Sequence, residues 1–559
     1  MQRIPPYPAL IEVVASSLIL ALTTNAQEPP IAPIAPIAEN APIAENAGTA
    51  AETIVLLKQA ESAAEKITDP DGAASAYWSI GALLTEAKLD AAATAVLATA
   101  REKAFTVRDR LRRWELVEII AHAEAKAGAK VDLDGYLAKA ENDAQQSAVI
   151  SSVAAGNFER GDKEASRKLF ERAWKQAQKV DGPYKEVFFL SLADDASRAG
   201  DKETAKQFYG RFRDYLQMLG GEAEFLGMRK LGEAQLEAKM PEAALKTFQS
   251  AAEIAMEGNA PEDAGEIAGL MAAAGFSKEA DALIEKFMLA LAKLEPEEER
   301  PGLAALLADT LNREGVFPRK VLELLKQVSA DDRIYLLPEA AMNLASSGEM
   351  VAAAGLLPQV REAEDQVPVM CAISDAWWKA KDEVKAKDWA ARALATAKTI
   401  KEDEVQRESL LEVAEQLVSV GLAAEARVTW QGVAAAGEEF RRAIAEREFF
   451  QMVEDHEWKR AEAALKSMAD SPDVGVLQSG LAAELAKEGE LDAALKIVDQ
   501  LPPTLPARLE ILRLAYEKHG SSVSPGALME LLAKHTDPEV IVSLIVGHVG
   551  GFRRLPAEH

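Results

Sequence analysis

Cysteine is nearly missing from this chain. Cys371 is the only one in 559 residues, so no internal disulfide forms and a cysteine-clustered metal site is excluded. Histidine is scarce too: His122, His456, His519, His535, His548 and His559 show no metal-ligand spacing. Positive charge is in deficit, with 63 Lys and Arg against 90 Asp and Glu, a formal net charge of −27. That balance argues against nucleic acid as a partner, because phosphate binding needs a basic surface, and it disfavours adsorption to an anionic membrane. Aromatic residues make up only 6% while hydrophobic residues reach 48%, so alanine carries much of the apolar content. After the N-terminal segment no apolar run approaches the ~20 residues that a membrane-spanning helix needs.

Familiar catalytic signatures are lacking as well. The chain has no Walker-type phosphate loop, no GxGxxG opening a helix after a strand, no HExxH and no GxSxG elbow. Carboxylates are so numerous that no pair stands out as acid and base. The expectation is therefore no catalytic residue, no metal and no cofactor.

What is present begins with an export-like start. Residues 1–26 carry Arg3, an apolar run over 13–22 and the small-residue triplet Thr24-Asn25-Ala26, which together predict a signal peptide cleaved after Ala26. Glu12, Pro5, Pro6 and Pro8 depart from that pattern. The mature protein is then periplasmic or secreted, with no integral membrane segment; without a functional signal it is cytoplasmic, and an uncleaved anchor is a third reading. Residues 27–50 follow as a Pro/Ala-rich linker built on Pro-Ile-Ala and Ala-Glu-Asn units. Proline at every third place blocks helix and favours an extended spacer.

From residue 51 to 503 the pattern is helical and repeated. Inter-helix turns fall at Lys88, Gly128, Gly161, Gly200, Lys239, Gly275, Gly315, Gly348, Lys381, Gly421, His456 and Gly489, spaced by 33 to 40 residues. Glycine at eight of these twelve supplies the left-handed cap that other residues resist. Asp162, Asp201 and Asp382 directly follow their turns and can cap the next helix. Two columns of small residues accompany the turns. Seven places before come Gly81, Ala121, Ala154, Ala193, Gly232, Ala268, Ala308, Ala341, Ser374, Ala414, Phe449 and Ala482. Five places after come Ala93, Leu133, Ser166, Ala205, Ala244, Ala280, Lys320, Ala353, Ala386, Ala426, Ala461 and Ala494.

This order of aromatic, aliphatic, small and large positions, as in Tyr77, Ile80, Gly81 and Leu84 before Lys88 and Ala93, Leu97 and Ala100 after it, resembles the tetratricopeptide (TPR) repeat. The resemblance implies an all-α, right-handed α-solenoid of about twelve helix–turn–helix units. Leu133, Phe317-Pro318-Arg319-Lys320 and Phe449 depart from the family pattern in the Gly128, Gly315 and His456 units. Residues 504–559 form the expected C-terminal helical cap, with self-association through its apolar last helix as the alternative.

In proteins of this resemblance the first helix of each unit lines a concave groove that binds a peptide or protein segment. Some members clamp a C-terminal carboxylate with Lys and Asn, ten and six places before the turn. Here those places hold Trp78 and Ala82, Leu190 and Asp194, Arg229 and Glu233, Cys371 and Asp375, Leu411 and Glu415. No Lys–Asn pair occurs among them, so that clamp is not expected. The local candidates for partner contact are Trp378 and Asp375, with Phe450 behind them, because aromatics are favoured at interface hot spots. The function expected is a non-enzymatic interaction scaffold or adaptor whose partner is a protein or peptide, the acidic balance favouring a basic one. The alternative is an exported enzyme or cell-wall-acting protein whose superhelix supports a small catalytic part; only about fifty residues follow Pro503, which argues against it.

Overall fold

The structure is a computed structural model. It describes residues 47–434 except 181, 183, 184 and 296, much of 445–500, and a few positions between 538 and 546. The expected signal segment, nearly all of the linker and most of the C-terminal cap lie outside the described residues. The chain divides into Met1–Thr53 and Ile54–His559, and the repeats belong to the second unit.

Among the described residues every regular element is a helix. In chain order they are α1 (Ala47–Ala64), α2 (Pro70–Glu86), α3 (Asp90–Ala104), α4 (Arg110–Lys126), α5 (Leu133–Lys139), α6 (Asp143–Arg160), α7 (Lys163–Ala177), α8 (Lys185–Arg198), α9 (Lys202–Leu219), α10 (Gly221–Glu237), α11 (Pro241–Glu257) and α12 (Pro261–Ala273). They continue with α13 (Ser277–Leu291), α14 (Arg300–Arg313), α15 (Pro318–Leu325), α16 (Ala330–Ser346), α17 (Met350–Leu356), α18 (Ala363–Lys379), α19 (Glu383–Ala397), α20 (Asp403–Ser419), α21 (Ala423–Ala434), α22 (Trp458–Ser467), α23 (Val474–Glu488) and α24 (Leu491–Val498). Helices of one unit pack on each other and on the next unit, which makes the chain an α-solenoid of helix–turn–helix repeats.

One turn geometry recurs at all twelve places. The N–H after each turn residue donates to the carbonyl five residues back, from Leu89 to Leu84 through Glu490 to Leu485, at 2.7–3.1 Å. This six-to-one bond closes a helix end through a left-handed residue. Lys88, Lys239, Lys381 and His456 adopt that conformation without being glycine, at φ 57°, 56°, 65° and 56°. The capping expectation holds too: Asp162, Asp201 and Asp382 each accept from the backbone N–H three residues on.

The two small columns meet inside each unit. All twelve residues seven before the turns are buried, and ten of those five after are completely so. The two exceptions are Leu133 and Lys320, the same two that break the family pattern. A side chain on Gly81 would strike Leu97, and one on Gly232 would strike Phe248. Those large residues, nine places after their turns, fill the space that the small ones leave. The divergent units differ in kind. In the Gly128 unit the second helix shrinks to the seven residues of α5, and in the Gly315 unit Phe317 turns left-handed before Pro318 opens α15. In the His456 unit Phe449 is completely buried where a small residue was expected.

Successive first helices pack directly on one another from α2 to α10 and from α12 to α20, whereas successive second helices make no comparable contact. The first-helix layer is thus the tighter one. The buried side chains from Leu56 to Val153 and those from Phe449 to Ile545 belong to one continuous cluster, so the early and late parts of the array share a core.

Candidate functional site

Acidic residues occupy five of the twelve places six before the turns, interrupted by Gly269 on α12 and Met342 on α16. The place six before the turn holds Asp194 on α8, Glu233 on α10, Asp309 on α14, Asp375 on α18 and Glu415 on α20. Stacked helices bring such equivalent positions toward the same face. Burial holds the Asp194 and Glu233 carboxyls above the usual carboxylate range. Tyr209 donates its hydroxyl to Asp194 at 2.7 Å, Lys379 pairs with Asp375 at 2.8 Å, and Arg229 on α10 pairs with Glu266 on α12. Asp309 has only a loose ion pair with Arg313, at 3.8 Å.

The early end of the face is a crowded polar patch. Glu118 on α4 is pushed up to about 7 by burial, with Asp195 and Glu115 adding repulsion. Ser151 on α6 donates to Asp195 at 2.6 Å, and Arg198 pairs with Asp195 at 2.8 Å. Beside them His122 and Lys126 meet Glu159 at 2.9 and 2.7 Å, bonds that bring the Glu159 carboxyl down to about 2 against its burial. Glu115 on α4 and Asp195 on α8 thus repel the Glu118 anion from two helices, with Arg198 the cation paired to Asp195.

Further along, a groove of about 680 Å³ opens between α14 and α16. Leu303, Ala305, Leu306 and Leu336 give it an apolar lining, and Glu298, Glu299, Asp309 and Asp332 give it carboxylates. Tyr335 also lines it, with 82% of its surface exposed.

The three sequence candidates do not come together at one point. Asp375 and Trp378 share α18. Trp378 is half-buried, packed on the cluster that contains Val413, Leu417 and Val420, with its ring beside Gly421 at the turn of the following unit. Phe450 lies a repeat and more away, half exposed and edge-on to Phe449. Cys371 is buried, and burial pushes its thiol far up, so it is an inert core residue. Sequence reading passed over Glu118, Asp195, Asp309 and Tyr335. Asp309 was within reach, since it occupies the same six-before place as Asp194 and Glu233. Glu118 and Asp195 become neighbours only when α4 and α8 stack around α6, and no local signal reports that.

Among the described residues no group of His, Cys, Asp and Glu is arranged to hold a metal, and no helix is long and apolar enough to cross a membrane.

No family model matches the chain, and no curated protein matches it. Among solved structures it is similar to Ton1535 from Thermococcus onnurineus NA1, at 13% identity over 74% of this chain and 94% of that one, with a TM-score of 0.21. It is similar to a circular tandem repeat protein with novel repeat topology, at 14% identity over 90% and 99% of the two chains, TM-score 0.16. A monomeric mutant of IFIT1 matches at 15% identity over 68% and 81%, TM-score 0.19. At such TM-scores the class of this protein, a helical-repeat solenoid, rests on its own helix packing.

Proposed function

We propose that this chain is a non-enzymatic interaction scaffold that holds an extended or helical segment of a protein partner against its first-helix face, and that the segment is basic. The observation that carries the reading is the set of acidic residues on the more closely packed layer: carboxylates at five of the twelve six-before places, several of them half-buried. A repeat array displays contacts on a surface fixed by its core, and complementary charge steers the encounter and makes it salt-dependent. Photo-crosslinking groups placed singly on the full-length protein test it. Leu306 and Asp375 on first helices are expected to crosslink partner protein from the source cells; the exposed Val351 and Val384 on second helices are not. Crosslinks confined to the second helices overturn the reading.

The scaffold is also proposed to work outside the cytoplasm, on the strength of Arg3, the apolar run over 13–22 and the triplet ending at Ala26. N-terminal sequencing of the protein from its host is expected to begin at Gln27. A chain that keeps Met1 and stays in the cytoplasm overturns it.

A further inference from the structure

We infer that the groove between α14 and α16 is the anchoring point for an arginine side chain of the partner segment; this rests on the scaffold reading above. The groove combines what a guanidinium on an aliphatic stem requires. Its apolar lining suits the stem, and the Tyr335 ring stands open to solvent where a planar cation can stack on it. Carboxylates line the site as well. Glu298 and Glu299 come from the single turn before α14, and no cation pairs with either among the described residues. Asp309 also lines it, with Glu339 on α16 close enough for the two carboxylates to repel. Arg313 answers Asp309 only loosely. A carboxylate pair can grip a guanidinium through parallel hydrogen bonds that an ammonium cannot match.

Charge selects the occupant. Residues 27–46 of this chain contain Glu28, Glu39 and Glu45 and neither Lys nor Arg, so the linker would be repelled. A second copy carries the same net charge of −27 and would be repelled likewise. A basic segment of another protein has the complementary charge.

The test uses the full-length protein and a fluorescein-labelled peptide of alternating Arg and Leu, with an alternating Glu and Leu peptide as reference, followed by fluorescence anisotropy. Two groove variants are compared with the parent, Tyr335→Ala and the double change Glu298→Gln with Glu299→Gln. A third, Glu164→Gln with Glu203→Gln on second helices, removes equal charge elsewhere. The parent is expected to bind the Arg peptide and not the Glu peptide. Each groove variant should weaken binding by ~10-fold or more at an unchanged melting midpoint, and the second-helix variant should bind like the parent. If Tyr335→Ala lowers the midpoint, the carboxylate variant decides. Equal loss in groove and second-helix variants overturns the groove, as does groove-variant binding equal to the parent's or no binding by the parent. In each of those cases crosslinks from Leu306 and Asp375 to the native partner would leave the scaffold reading standing, and only their absence removes both.

Discussion

The Ser374 hydroxyl donates to the carbonyl oxygen of Ala386 at 2.7 Å. These residues stand seven before and five after the same turn, so the bond marks the point where the two helices of a unit cross. Ser374 is completely buried, and the bond spares it the cost of an unpaired hydroxyl in the core. At most other crossings alanine or glycine packs with no polar group to satisfy, whereas the Ser166 hydroxyl is buried without a hydrogen-bond partner.

Packing at such a crossing leaves no slack. A Cβ on Gly232 would lie 2.4 Å from the Phe248 ring, whereas one on Gly210, also within a helix, meets nothing within 4 Å. Gly232→Ala is expected to destabilise by ~1–3 kcal/mol, and Gly210→Ala to stabilise by roughly 0.5–1 kcal/mol through helix propensity. Chemical denaturation of the two variants should show midpoints moving in opposite directions.

The left-handed turns offer a second pair of opposite signs. Lys239 carries a side chain at φ 56°, and Gly161 sits at φ 102° with open space around it. Lys239→Gly should relieve backbone strain and raise stability by up to about 1 kcal/mol, while Gly161→Ala should lower it by ~1 kcal/mol or more. Thermal melts of the single variants check both.

Glu118 makes stability depend on pH. Its carboxyl rises from 4.5 to about 7 on folding, because burial disfavours the anion and Asp195 and Glu115 repel it. The folded chain therefore binds more protons than the unfolded one between those values. The contribution is fully present below the unfolded pKa and is lost as pH rises through about 7. Glu118→Gln is expected to raise stability near pH 8 by on the order of 1–3 kcal/mol and to change little near pH 4. Denaturation curves at the two pH values decide, and equal shifts at both would place the cause elsewhere.

Trp378 separates packing from contact. Its half-buried ring lies on the core of the next unit, so Trp378→Ala is expected to lower stability by about 2 kcal/mol. Phe450 is half exposed, and Phe450→Ala should cost much less. Weaker partner binding by Trp378→Ala at unchanged stability would instead make it a contact residue.

The architecture was legible because each turn writes itself into three places of the sequence. Every described turn residue named from sequence has positive φ, and the bond from Glu490 to Leu485 marks the last turn too. Lys88 and His456 show that spacing, and not glycine alone, located them. The binding face was legible only in part. Asp194, Glu233 and Asp375 were visible as members of one column, but a single column cannot show which carboxylates face one another. Tyr335 gave no signal at all: its exposure beside the groove between α14 and α16 is tertiary geometry.

The core that joins Leu56 to Ile545 alters how this chain would come apart. In an open tandem array each unit leans only on its neighbours, so unravelling starts at a free end and travels inward at little cost per step. Here described helices from the early and the late repeats, α1 and α24 among them, belong to the same buried cluster. Separating them bares apolar surface, a cost to unzipping that an open array lacks. A partner tugging along the repeats therefore works against a core shared between distant units.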